Sequence, residues 1–117
     1  MGMDLQVLAS HFRERRGELL PTAALRFDRD TELFAQLMPD SRPLLVHDVP
    51  PGLAVGIRED DGLRYVTTDR YGKGLTFTTG RDLQLLRVPD EAAHWNRAVL
   101  SFLLALPPET RIVLYWC

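Results

Sequence analysis

Four short apolar segments separated by three turn signals constrain the fold of this chain more than any other feature. The segments cover residues 44–49, 53–58, 63–68 and 75–78. The intervening stretches, 50–52, 60–62 and 69–74, are rich in the Pro, Gly and Asp residues that favour chain reversals, and Gly62 and Gly72 can supply a positive φ. Since such short connections usually join antiparallel neighbours, the sequence predicts a four-stranded antiparallel meander.

The third segment indicates which faces of this sheet are apolar. Leu63, Tyr65 and Thr67 alternate with Arg64, Val66 and Thr68, and side chains two positions apart share a face of a strand. One face is therefore mostly apolar and the other mixed. We expect helices to cover the apolar face.

Two helices are predicted ahead of the meander. The first has Asp4 as its cap, carries Leu5, Leu8 and Phe12 at helical spacing, and ends at Gly17. The second begins after Asp30 and ends at Pro39, where a proline cannot continue a helix.

Two further helices are predicted after the meander. Thr78 or Thr79 can cap a short one, and Asp90 can cap the longest helix of the chain, from about Glu91 to Leu106. This helix carries an apolar stripe with a period close to 3.6 residues, which predicts burial against the sheet. The stripe includes Trp95, Val99, Phe102 and Leu106.

The stretch from Ile112 to Trp116 is apolar at every position. A strand of this kind is typical of a sheet interior, with both faces buried, or of a seam between two subunits. For the second alternative, the predicted interface residues are Val113, Tyr115 and Trp116. The fold class is therefore α+β, with a meander and a C-terminal strand covered by helices on one face.

Composition bounds the function. A chain of 117 residues fits a single domain, 1–117, and a net charge of −2 argues against a general polyanion binder. Neither a leader nor a membrane-spanning stretch is evident, and Cys117 is the only cysteine, so we expect a cytoplasmic protein. Thirteen arginines against one lysine favour a bacterial source.

Catalytic and metal-binding patterns are missing from the sequence. No His or Cys pair has zinc-ligand spacing, and no serine stands in a Gly-x-Ser-x-Gly elbow. We therefore expect no metal and no cofactor, and the sequence favours a noncatalytic chain over an enzyme without deciding between them.

One group of polar residues is nevertheless a candidate ligand site. In a meander, alternate turns lie at the same end of the sheet, so the turns at 50–52 and 69–74 share a rim. This rim could bind a small anion through two parallel hydrogen bonds from the Arg70 guanidinium and through the positive charge of Lys73. Alternatively, it could hold a histidine as a general base. The alternative is a solvated turn region. The rim residues are His47, Asp48, Asp69, Arg70, Tyr71 and Lys73.

A third possibility is a nucleic-acid surface on Arg13, Arg15 and Arg16. Acidic residues such as Glu14 and Glu18 interleave with these arginines, which favours local ion pairs instead.

The leading hypothesis is therefore a small noncatalytic bacterial interaction domain, of adaptor, chaperone or inhibitor type, that binds a protein partner and forms a homodimer. The alternative is an enzyme or a binder of small anions at the rim around His47 and Arg70.

Overall fold

The computed structural model describes residues 3–10, 14–15, 17–42 and 45–117, and it is mixed α+β with mostly antiparallel strands. Nine strands and three short helices lie within those ranges. In chain order they are β1 Leu5–Ser10, β2 Glu14–Arg15, β3 Glu18–Leu19, β4 Ala23–Phe27, α1 Thr31–Ala35, β5 His47–Asp48, β6 Ala54–Glu59, β7 Gly62–Val66, β8 Thr76–Thr79, α2 Gly80–Leu83, α3 His94–Leu104 and β9 Arg111–Trp116.

The strands form two sheets instead of one. The five-stranded sheet has the order β4-β1-β9-β8-β5, and the four-stranded sheet has the order β2-β3-β6-β7. All described pairs are antiparallel except β3 with β6. The predicted meander is therefore wrong as a whole, because β5 pairs with β8 in one sheet, but its middle hairpin is confirmed, because β6 pairs with β7 in the other. Gly62 in that hairpin and Gly72 in the next loop do adopt the predicted positive φ, of 125° and 76°.

The first predicted helix is also wrong where the structure describes it. Residues 5–10 form β1, which lies between β4 and β9. Leu5 and Val7 face one side of the sheet and Leu8 the other, and all three are buried. A strand buried on both faces has no polar alternation, so its leucines resemble a helical stripe. Residues 11–13 and 16 of that predicted helix lie outside the described ranges.

The five-stranded sheet carries an apolar cluster on each face. On one face, Val7, Ile112 and Leu114 join buried residues of all three helices. On the other face, Leu8 and Val113 join Val55 and other residues of the four-stranded sheet and its loops. The sequence did not predict this second layer of strands.

Two of the predicted helix caps are confirmed. Asp30 accepts a hydrogen bond from the Leu33 amide at 3.1 Å, and Thr79 accepts one from the Asp82 amide at 3.1 Å. Asp90 does not cap the long helix, because α3 begins later, after Ala93, without a side-chain cap.

The long helix packs by a face that matches the predicted one only in part, since Val99 is buried as predicted and Leu106 is partly buried. Its buried residues are Asn96, Val99, Leu100 and Leu103, whereas Trp95 is 49% and Phe102 is 42% exposed. The reason lies in Asn96, which is fully buried. Its amide accepts from the Asp28 backbone N–H at 2.7 Å and donates to the Asp28 carbonyl at 2.9 Å. A polar residue thus occupies the core side of α3, while Trp95 and Phe102 of the predicted stripe lie toward solvent.

Strand β9 lies at the centre of the five-stranded sheet, paired with β1 on one side and β8 on the other. Of the two alternatives for the apolar run, the sheet interior is the one the structure has. Both backbone edges of β9 are occupied within the chain.

Candidate functional site

The turns at 50–52 and 69–74 lie beside one another, although through a different topology from the meander. They line a groove of about 570 Å³ that also contains Asp48 and Lys73. Most of its remaining lining is Pro, Gly, Leu and Val. Two of the six rim residues are therefore together in an apolar groove.

Asp69 has a structural role in the second turn. It is buried, and one carboxylate oxygen accepts hydrogen bonds from the amides of Tyr71, at 2.8 Å, and Lys73, at 3.0 Å. Its backbone N–H donates to the Lys73 carbonyl. This carboxylate orders the loop through one of its oxygens, and the residue also lines a cleft with Arg70.

Arg70 and Tyr71 are held at the end of β9 and not in the groove. The Arg70 backbone N–H donates to the Trp116 carbonyl at 3.1 Å, and the Tyr71 hydroxyl donates to the Cys117 carbonyl at 3.3 Å. The Arg70 side chain lines two other clefts. The predicted rim is thus divided between two places.

His47 is paired with an acid, but not with one of the predicted acids. Its Nε2 atom lies 2.8 Å from Oδ2 of Asp82 in α2. Its ring lies 5.4 Å from the ring of Phe77. A carboxylate that orients an imidazole is the arrangement of a general base, yet about half of the His47 side chain is exposed and neither residue lines the clefts described here. Water therefore has free access to this pair.

A polar cleft of about 510 Å³ lies where β1, β4, β6 and β9 approach one another. We call it the arginine cleft, because Arg26, Arg58 and Arg70 line it, together with Tyr115 and Cys117. Four carboxylates, at positions 4, 59, 60 and 61, line it as well. A ligand here would meet charges of both signs.

Some of these charges neutralise one another. Glu59 accepts from Arg64 at 2.7 Å and lies 3.6 Å from Arg70. Arg29 donates to Asp4 at 2.8 Å and holds the pKa of that carboxyl below its ordinary value.

Within the described ranges, Arg26 and Arg58 have no carboxylate at ion-pair distance. Two guanidinium groups of the cleft therefore remain able to bind an anion.

The thiol in the arginine cleft is a poor nucleophile. Partial burial raises the pKa of Cys117 above its ordinary value, because desolvation disfavours the thiolate. At neutral pH the group is a neutral thiol. This agrees with the absence of a nucleophile motif in the sequence.

The predicted interface residues lie inside the chain. Val113, Tyr115 and Trp116 are 2%, 3% and 4% exposed, and their strand is paired on both sides. A subunit contact needs accessible surface, which these side chains do not have. The interpretation of β9 as a dimer seam is therefore withdrawn.

An apolar surface lies instead on the outer face of the four-stranded sheet. We call it the sheet patch: Leu20, Leu63 and Tyr65, which are 46%, 44% and 38% exposed. The three side chains meet above Gly56, where a methyl group would lie 3.1 Å from Leu63 Cδ1 and 3.3 Å from both Leu20 Cδ1 and Tyr65 Cε1. The sequence identified the apolar face of Leu63 and Tyr65, but none of the three described helices buries these side chains.

Sequence reasoning did not bring Arg26 and Arg58 together as residues of one candidate ligand site. They belong to different sheets, and only the packing of one sheet on the other brings them to one cleft. No spacing in the sequence signals this. Leu20 was missed for the same reason, since β3 pairs with β6 across more than thirty residues.

The side chains of Arg13, Arg15 and Arg16 lie outside the described part of the chain, so the nucleic-acid interpretation has no geometry to support it. Within that part, no three His, Cys, Asp or Glu side chains are arranged to hold a metal ion. None of its helices has the length and apolarity needed to cross a bilayer.

Comparison with known proteins finds no matching family, no matching curated protein and no matching solved structure. Any functional conclusion therefore depends on the residues of this chain alone.

Proposed function

We propose that this chain is a noncatalytic protein-interaction domain, of adaptor, chaperone or inhibitor type, that binds a partner protein through the sheet patch. One observation carries the proposal: Leu20, Leu63 and Tyr65 form one contiguous exposed apolar surface above Gly56. Single exposed apolar residues are common on protein surfaces, but contiguous groups mark interaction sites. Tyrosine is one of the residue types most often found as an interface anchor.

The position of the sheet patch supports the same role. β7, which carries Leu63 and Tyr65, is the last of the described strands of its sheet, and among these it pairs with β6 alone. An extended partner segment could add to this edge through backbone hydrogen bonds and place its apolar side chains on the sheet patch. The predicted bacterial cytoplasmic setting and the predicted homodimer belong to the same proposal, supported by the arginine-rich composition and by the accessible apolar surfaces.

The first prediction tests the sheet patch by affinity capture. The double variant Leu63→Thr, Tyr65→Thr removes most of the apolar surface while keeping residues that favour strands. From a lysate of the source organism, we expect a protein that immobilised wild type retains and that this variant retains at least about tenfold less, because truncating interface anchors is costly. Quantitative mass spectrometry with nuclease treatment measures the retention.

Leu85→Ser is the matched control, since Leu85 is 66% exposed and lies outside the sheet patch. The control should retain the same protein as wild type. Equal retention by the double variant and wild type would refute the role of the sheet patch.

A second candidate function is the binding of a small anion in the arginine cleft. The observation that favours it is that Arg26 and Arg58 have no ion-pair partner among the described residues, while both line one cleft with Arg70. The carboxylates of Asp60 and Asp61 line the same cleft and weaken its positive potential. We therefore expect millimolar rather than micromolar affinity.

The second prediction concerns this cleft. Titration of phosphate and of succinate, followed by NMR, should shift the amide signals of residues 57–61 and 115–117 in wild type. Arg58→Gln should reduce the affinity at least about threefold, because it removes a charged hydrogen-bond donor.

Lys73→Gln is the matched control, because Lys73 lies in the apolar groove and not in the arginine cleft. The control should bind as wild type does. Shifts confined to residues 48–52 and 73–76 would instead assign anion binding to the predicted rim.

A further inference from the structure

The exposed side of α3 carries an ordered apolar stripe. We call it the α3 seam: Trp95, Ala98, Phe102 and Ala105, all of them exposed. Ala105 follows the last helical residue and keeps helical dihedrals, with φ −80° and ψ −12°. The spacing of three, four and three residues places the seam on one side of the helix, as in the a and d positions of a coiled coil.

The helix that carries the seam has almost no charge. Arg97 is the only Asp, Glu, Lys or Arg among the eleven residues of α3. Its guanidinium donates to the carbonyls of Pro89 and Asp90 at 3.1 and 3.0 Å, beyond the start of the helix. A solvent-facing helix surface usually carries charged residues. The composition of this surface is that of a surface in contact with another helix.

The largest residue of the seam is held in place before any association. The Trp95 indole Nε1 donates to the Arg26 carbonyl of the edge strand β4 at 2.6 Å. An ordered anchor loses less conformational entropy on binding than a mobile one. The Trp95 side chain is therefore preorganised for a contact with another molecule.

We infer that the α3 seam binds the α3 seam of a second copy of this chain, in antiparallel orientation about a two-fold axis. This inference rests on the self-association that is part of the proposed function, and it identifies the surface through which the two copies associate. Along the seam, large and small residues alternate. In antiparallel pairing, a positions face d positions, so Trp95 faces Ala105 of the second copy and Phe102 faces its Ala98. Each aromatic ring then has an alanine opposite, in both halves of the interface.

Other pairings do not give this fit. Parallel helices would place ring against ring and alanine against alanine, which leaves clashes and voids. No formal charge of α3 borders the seam to oppose close approach, since Arg97 is directed elsewhere.

The expected dimer is weak. The seam spans about 15 Å of helix, at 1.5 Å per residue. Two such seams bury less than the roughly 1,200 Å² of a standard stable interface. We therefore expect a dissociation constant of about 10–100 µM, in the range of transient assemblies.

Sedimentation velocity from about 5 to 500 µM tests the inference with two single variants and their mixture. Phe102→Ala leaves a void against Ala98, and Ala98→Phe sets a ring against Phe102 of the second copy. Each should weaken self-association at least about tenfold. In an equimolar mixture the two changes complement one another, because the added ring of one chain faces the vacated position of the other. The mixture should therefore form a heterodimer about as tight as the wild-type dimer.

Three results would overturn the inference: a wild-type monomer at 500 µM, a dimer that Ala98→Phe strengthens, or a mixture without recovery. Strengthening by Ala98→Phe is the signature of unspecific apolar association or of parallel helices. Because both positions are exposed, thermal unfolding should show that each variant folds. The sheet-patch double variant should dimerise as wild type does. If it alone loses the dimer, self-association uses the sheet patch, and the inference fails while the proposed interaction role stands.

Discussion

Replacing Leu103 by alanine should lower the free energy of unfolding by about 2–5 kcal/mol, whereas replacing its neighbour Phe102 should cost about 1 kcal/mol or less. Leu103 is 2% exposed and belongs to the apolar cluster beneath the helices, so its truncation opens a cavity. Phe102 is 42% exposed, so its truncation leaves a space that is open to water and not an enclosed cavity. Urea denaturation with unchanged m values measures both changes.

The measurement is best made at about 2 µM protein, below the dissociation constant expected for the dimer. At higher concentration, association would stabilise any variant in which the α3 seam is intact. A larger loss for Phe102→Ala than for Leu103→Ala would contradict the packing of α3 described here. It would instead favour the burial of Trp95 and Phe102 that the sequence predicts.

Replacing Val113 by lysine should prevent folding. Val113 is 2% exposed in the central strand, opposite Leu8 of β1 and Phe77 of β8, and it belongs to the cluster between the two sheets. An unpaired ammonium group there costs more than about 4–5 kcal/mol, which is comparable to the whole stability of many domains. Far-ultraviolet circular dichroism and the dispersion of a one-dimensional NMR spectrum report the outcome.

Leu63→Lys is the matched control for this prediction, since it introduces the same charge into the exposed strand β7. We expect it to fold and to lose no more than about 1 kcal/mol. A well-folded monomer with Val113→Lys would mean that β9 is accessible to solvent. That is what the prediction of a dimer interface on β9 required.

The parts of the fold that could be predicted are those decided by local chemistry. Asp30 and Thr79 cap helices because their side chains reach amides three residues ahead, and Gly62 has the positive φ that its turn requires. The pairing of strands was not predictable in this way. β5 and β8 are adjacent because the β6–β7 hairpin, which lies between them in the sequence, belongs to the other sheet. No local sequence pattern indicates this arrangement.

The site was predictable to a smaller extent. Arg70 was selected for its guanidinium and does line a polar cleft, but its companions Arg26 and Arg58 come from other strands. Asp69 was selected for its carboxylate, which the loop amides of Tyr71 and Lys73 occupy. Residue type indicates which chemistry is possible. Which groups actually bind to that side chain in the folded protein depends on how the chain packs.

The central position of β9 also affects how the chain must be made. Leu5 of β1 pairs with Trp116 of β9, so the middle of the five-stranded sheet joins segments more than a hundred residues apart. Pairing at such sequence separation slows folding, because the loop must close before its contacts form. During synthesis, β1 and β8 leave the ribosome before the strand that pairs between them, and the backbone groups of their facing edges stay unpaired until it follows. We therefore expect the nascent chain to depend on holding chaperones, and brief translational pauses upstream of β9 to increase aggregation.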